Sequence, residues 1–324
     1  MKEKFLRGVR TVEIGLLKFF VAIYKVLQRF GAYTKRVIWP KWQSISKTVV
    51  LAIVVVYVIG AVIFGIRLYR QNRFEKIDLF ASYIYPFPVA NSGRGMVFDH
   101  QLQLWVSSSK MFAQKNSMEV PADLSKTIVK ELNDYNMVAQ EADRLGVDIK
   151  SKEIDEKFDL TIEGIGTKEQ AADFLKQMYG LSMNQFKSLI TPMILVEKFK
   201  EKKFTQVKVR HILIADEGKA KEIAEKAKKG ENFEELAKQN SEDQSSKDNG
   251  GLIAEGQYLF RDSGLVAEFE DAMFKMKAGD ISDPVKSQYG YHIIKVEDRK
   301  GEIDLKYSDW LNTLKKKYPQ RTWI

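Results

Sequence analysis

The chain has 324 residues, no cysteine and a formal net charge of +9 at pH 7. The lack of cysteine excludes disulfides, thiolate metal sites and a lipid-modified cysteine anchor. The positive charge does not predict a nucleic-acid partner, because the whole excess lies in residues 1–47, which hold eleven Lys or Arg and two acidic residues.

An apolar run follows this basic segment. Residues 48–66, TVVLAIVVVYVIGAVIFGI, carry no charge, and a helix of that length would cover about 28 Å of a ~30 Å hydrocarbon core. The pattern predicts a membrane-spanning helix over 48–68. Its basic flank predicts a single-pass protein of the cell membrane, with residues 1–47 cytoplasmic and the C-terminal domains extracytoplasmic. Residues 13–30 are predicted to form an interfacial helix, with a second spanning helix as the alternative.

A helical pattern occupies about residues 98–203. Thr167 with Gln170, and Ser182 with Gln185, have the spacing of capping boxes and predict two helix starts. Residues 77–204 are therefore predicted to form one helical domain. The segment 301–324, a predicted helix ending in an apolar stub, would fold back and complete it.

The pattern changes at Val207. VKVRHILI predicts a strand, three helical segments follow, and ISDPV and YHIIKVED predict further strands, so residues 205–300 are expected to form a small α+β domain.

Two of the three histidines, His211 and His292, lie at the same point of two similar β-branched runs. We expect them side by side on neighbouring strands, sharing one hydrogen-bond network. A buried polar pair with a purely structural role is the alternative. No metal site is predicted, because no third ligand lies nearby in the sequence, and His100 is expected to be a surface or packing residue.

The segments VRHIL, NFEELAKQNSED, NGG, GLVAEFEDAMF, GDISDPV and YGYHIIKVED together resemble the parvulin (PpiC) type of peptidyl-prolyl cis–trans isomerase over about residues 206–299. The flanking segments resemble, more loosely, the helical chaperone domain of the SurA, PrsA and PpiD foldases. The resemblance implies an α+β fold, in which a parvulin-like domain with a small four-stranded antiparallel sheet is inserted in a mostly helical chaperone-like domain.

The resemblance also implies a function. It is that of a membrane-anchored, extracytoplasmic isomerase (rotamase) and folding chaperone, without a cofactor. Its expected partners are unfolded or partly folded exported polypeptides with X-Pro bonds, the lipid bilayer and the translocon from which those polypeptides emerge.

The family's catalytic positions fall on His211, Asp243 and His292. Its substrate-binding positions fall on Ile253, Leu265, Phe269, Ser287 and Tyr289. The chain departs from the family where GGLIA replaces GGDLG and where EGQYLFRDSG is a few residues longer than usual. These departures leave open a holdase chaperone with a degenerate parvulin domain. A structural or assembly protein of the envelope is a third interpretation.

Overall fold

The computed structural model describes residues 53–62, 65, 83–84 and 86–323. The chain divides into two units, Met1–Arg67 and Leu68–Ile324.

The first unit contains a helical run at 53–62. No described helix of the chain is long and apolar enough to cross a membrane. The predicted spanning helix at 48–68 and the predicted cell-membrane localisation are therefore wrong. The basic segment 1–47 and the predicted interfacial helix at 13–30 lie outside the described residues.

The second unit begins with a hairpin and five helices. They are β1 (Pro88–Ser92), β2 (Gly95–Phe98), α1 (Asp99–Lys115), α2 (Leu124–Arg144), α3 (Ser151–Glu163), α4 (Lys168–Tyr179) and α5 (Met183–Lys203). Both predicted capping boxes are present: the Thr167 and Ser182 hydroxyls accept the backbone N–H groups of Gln170 and Gln185, each at 3.3 Å.

A three-stranded sheet with helices on both faces follows. Its elements are β3 (Gln206–Ile214), α6 (Glu217–Lys228), α7 (Phe233–Asn240), α8 (Ala267–Lys275), β4 (Val285–Ser287) and β5 (Gly290–Lys300). The strands are antiparallel in the order β3-β5-β4. Apolar side chains of β3 and β5 pack against α6 and α7 on one face and against α8 on the other.

The four-stranded sheet that the resemblance implied is not present among the described residues. The predicted strand ISDPV is shifted: Ile281 forms only an isolated bridge, to Lys295, and the strand β4 begins at its last residue, Val285. Pro284 lacks the N–H that a ladder needs, which limits pairing on its N-terminal side. The sheet therefore has three strands among the described residues, with single bridges at its margins.

The C-terminal segment returns to the helical part. It forms α9 (Tyr307–Lys317) and β6 (Gln320–Thr322), and β6 pairs antiparallel with β1. Trp310 and Leu314 of α9 are buried in one cluster with Met137 of α2 and Phe199 of α5. The sequence pattern did not predict β6, because three residues are too few to show alternation.

Candidate active site

The strand register places the two histidines on one face of the sheet. In the pairing of β3 with β5, His211 lies opposite Ile294 and His292 lies opposite Leu213, so the histidines are diagonal neighbours. Their Nδ1 atoms are 3.2 Å apart, their rings are 17° from parallel, and each residue is only 5% exposed. The predicted juxtaposition is therefore present in the structure.

The loop after α7 holds the other side of His211. The Nε2 atom of His211 is 2.7 Å from Asp243 Oδ2 and 3.1 Å from the Ser246 hydroxyl. That hydroxyl donates to the same carboxylate oxygen at 2.5 Å, while the Ser245 hydroxyl donates to Oδ1 at 2.7 Å. The backbone carbonyl of Gly251 accepts the His211 N–H at 2.7 Å. The loop thus fixes both the backbone and the imidazole of His211.

A serine ends the network beyond His292. The Ser287 hydroxyl is 2.7 Å from His292 Nε2 and accepts the backbone N–H of Tyr289 at 3.1 Å. Because an ionised carboxylate only accepts, Asp243 requires a proton on Nε2 of His211, and this leaves Nδ1 of His211 as an acceptor. His292 must then donate from Nδ1, and its Nε2 accepts from Ser287. Every contact is satisfied by two neutral imidazoles of opposite tautomer.

The environment of each group supports this assignment. Burial lowers the pKa of His211, against the opposing effect of its hydrogen bond to Asp243. Burial and the neighbouring His211 lower the pKa of His292 to about 4. Burial alone would raise the pKa of Asp243, but hydrogen bonds from Ser246, His211 and Ser245 outweigh it and hold that pKa below its ordinary value. At pH 7 the network therefore carries one negative charge, on Asp243.

An aromatic side chain closes the apolar side. Phe269 of α8 stands edge-on to both imidazoles, with ring centroids 5.5 Å from His211 and 5.2 Å from His292, and is 2% exposed. Ile253 and Leu265 are half-buried against the cluster that contains Phe269. The structure thus brings these three predicted pocket residues together.

Tyr289, which the resemblance places with Ser287 at the edge of the pocket, is the most exposed of the predicted pocket residues. Its side chain is 63% exposed, although its backbone N–H is bonded to Ser287. It therefore lies at the edge of the site rather than within it.

Sequence reasoning did not find Ser245, Ser246 and Gly251. The two serines follow Asp243 after one residue, within a polar loop. An Asp in such a loop often accepts the backbone N–H two residues on, as Asp243 accepts that of Ser245 at 3.1 Å. Gly251 has φ +77°, and a Cβ there would lie 2.1 Å from the carbonyl oxygen of His211. The paired glycines of NGG were a visible signal for such a close backbone approach.

Comparisons with known proteins show what this chain is similar to. Residues 193–300 match the family model described as the PPIC-type PPIASE domain. The foldase protein PrsA 2 of Bacillus anthracis is 34% identical over 230 residues, which cover 63% of this chain and 76% of that protein.

Another relative, the foldase protein PrsA 4 of Bacillus cereus, is 39% identical over 180 residues. That alignment covers 55% of this chain and 61% of the relative. The chain therefore spans about three fifths of the length of this relative. A crystal structure of the peptidylprolyl isomerase PrsA from Bacillus anthracis is 31% identical and covers 59% of this chain and 86% of its own, with a TM-score of 0.30.

Proposed function

We propose that this chain, which belongs to the PrsA foldase family, is a peptidyl-prolyl cis–trans isomerase and a folding chaperone for exported polypeptides. The observation that carries the proposal is the continuous network from Asp243 through His211 and His292 to Ser287, closed by Phe269. Its substrates would be X-Pro bonds in unfolded or partly folded chains.

Isomerisation of an X-Pro bond requires only a modest lowering of its rotational barrier. Rotation about X-Pro faces a barrier of ~18–20 kcal/mol and breaks no covalent bond. A thousandfold acceleration corresponds to about 4 kcal/mol. Twisting the amide removes its resonance and makes the peptide less polar. An apolar surface that holds the proline ring, for which Phe269 and Leu265 are placed, therefore favours the twisted state over the planar one.

The network supplies orientation rather than proton transfer. The pKa of His292 is about 4 and that of His211 is also lowered, so neither imidazole is charged at neutral pH. Both oxygens of Asp243 are already engaged, one by His211 and Ser246 and the other by Ser245. Asp243 thus fixes the tautomer of His211, and through it the tautomer of His292.

The experiment that tests this function is a proline-limited refolding assay with the full chain. His211→Ala, Asp243→Ala and Phe269→Ala should each lower kcat/KM by tenfold or more while circular dichroism shows a native fold. His100→Ala is the matched control, because His100 lies on α1, outside the network, and it should keep the wild-type rate. A folded wild-type chain that does not accelerate refolding would instead favour the holdase alternative.

We further propose that residues 77–204 with 301–324 form the chaperone part and residues 205–300 the isomerase. The shared cluster of α2, α5 and α9 and the pairing of β6 with β1 support this division. A full chain carrying Phe269→Ala should still suppress aggregation of a proline-free client, because the helical part is unchanged. Loss of that suppression in the folded variant would contradict the division.

A further inference from the structure

One segment belongs to both cores of the second unit. The rim loop, defined as residues 253–265, begins and ends at the two half-buried pocket residues Ile253 and Leu265. In its middle, Leu259 packs in the cluster with Phe269 and exchanges two backbone hydrogen bonds with Val207, at 2.8 and 3.0 Å. The next residue, Phe260, packs instead against the helical cluster. Adjacent side chains therefore connect the sheet core to the helical core.

Polar contacts attach the same loop to the segment before α9. The Arg261 Nε donates to Asp304 Oδ1 at 2.6 Å, and its guanidinium carbon lies 4.5 Å from the ring centroid of Phe274. Asp262 pairs with Lys306 at 2.5 Å. These anchors tie the loop to residues that lead directly into α9.

The backbone of the rim loop is strained. Four non-glycine residues of the described chain have positive φ, and three of them lie here: Ala254 at 47°, Glu255 at 51° and Asp262 at 68°. A residue with a side chain keeps such an angle only where the surrounding contacts hold the backbone in place. On the sheet side, Leu259 bonds to Val207 and the Asp262 N–H donates to Glu270 Oε2 at 3.0 Å. On the helical side, Phe260 and Arg261 supply the contacts that hold the middle of the loop.

We propose that Phe260 and Arg261 are positioning residues for the proline pocket. By anchoring the rim loop to the helical part, they hold Ile253 and Leu265 against the cluster of Phe269. The inference rests on the proposed function, because it assigns these ends of the loop to the grip on the substrate proline. The geometry of the pocket then depends on the helical part, although neither Phe260 nor Arg261 faces the histidine network.

The test uses the full chain with Phe260→Ala and Asp304→Asn. The second variant removes a carboxylate charge that Arg261 shares with Arg299. It leaves the residues of the loop unchanged and keeps the longer pair of Arg261 with Asp271 at 3.8 Å. Each should lower kcat/KM for an X-Pro peptide by about 3- to 30-fold, the range expected for coupling through packed residues. The loss should appear mainly in KM, since the histidine network is intact. The methyl NMR signals of Ile253 and Leu265 should shift in both variants.

Leu311→Ala is the matched control. Leu311 packs against the same helical cluster as Phe260 but lies outside the rim loop, so its loss should lower stability and leave kcat/KM and the two methyl signals at wild-type values. Folded Phe260→Ala and Asp304→Asn chains with wild-type KM and unshifted signals would overturn the proposal. If Phe260→Ala does not fold, Asp304→Asn decides. If the wild type lacks isomerase activity, the proposed function fails, and the methyl signals alone decide the positioning role.

Discussion

Ser246 and Ser245 offer a matched test of how burial strengthens the network. Both hydroxyls donate to Asp243, at 2.5 and 2.7 Å, but Ser246 is 2% exposed whereas Ser245 is an exposed residue. A buried hydrogen bond to a charged group contributes about 1.5–3 kcal/mol. Ser246→Ala should therefore lower the free energy of unfolding by about 2 kcal/mol at pH 7. Ser245→Ala should lower it by less than about 0.5 kcal/mol, because water replaces an exposed donor.

The effect of Ser246→Ala on the free energy of unfolding should also depend on pH. The pKa of Asp243 is held below its ordinary value, so its ionised form stabilises the fold above the unfolded pKa of about 3.9, and this stability is lost as pH falls through the folded pKa. The difference between Ser246→Ala and wild type should persist from pH 7 to about pH 4 and narrow only in more acid solution. Urea unfolding followed by circular dichroism measures the free energy of unfolding of the wild type and of both variants at each pH. Equal effects of the two substitutions at pH 7 would refute the reasoning.

Three further predictions concern the same site. Gly251→Ala should destabilise the chain by several kcal/mol, because its Cβ would meet the His211 carbonyl oxygen at 2.1 Å. Gly264→Ala, with φ +82° and open space around it, should cost only about 1 kcal/mol in the same urea titration; similar losses would show that close approach is unimportant. Ala254→Gly should stabilise by about 1 kcal/mol, because it relieves a φ of 47° at an exposed position, and a lower denaturation midpoint would contradict the strain. Since the pKa of His292 falls to about 4 on folding, the unfolded chain binds more protons below pH 6.5. The free energy of unfolding should therefore decline between pH 6.5 and 4, by on the order of 2–3 kcal/mol, and His292→Gln should flatten that decline.

Local patterns predicted the parts of the fold that depend on neighbouring residues. The capping boxes at Thr167 and Ser182 satisfy N–H groups three residues away, so the sequence alone specifies these helix starts. The two histidines could be placed because alternation in β3 and β5 fixes which side chains share a face. The strand register that makes them diagonal neighbours depends on pairing between residues 81 apart. This register could not be predicted from the sequence and is seen only in the structure.

The rim loop shows why the remainder could not be predicted. The contact of Arg261 with Asp304 joins residues 43 apart, and nothing local to either indicates it. The replacement of GGDLG by GGLIA suggested a degenerate pocket, because the last glycine of that motif is absent. Yet Ala254 adopts φ 47°, a left-handed angle that a glycine reaches without steric cost, so the backbone at this position has a conformation that suits the glycine of the motif. Leu252, at the position of the missing acid, forms a backbone bridge with Arg210 beside His211. We therefore expect these substitutions to act first on the stability of the loop, and we propose that the anchors at Phe260 and Arg261 keep the pocket in shape.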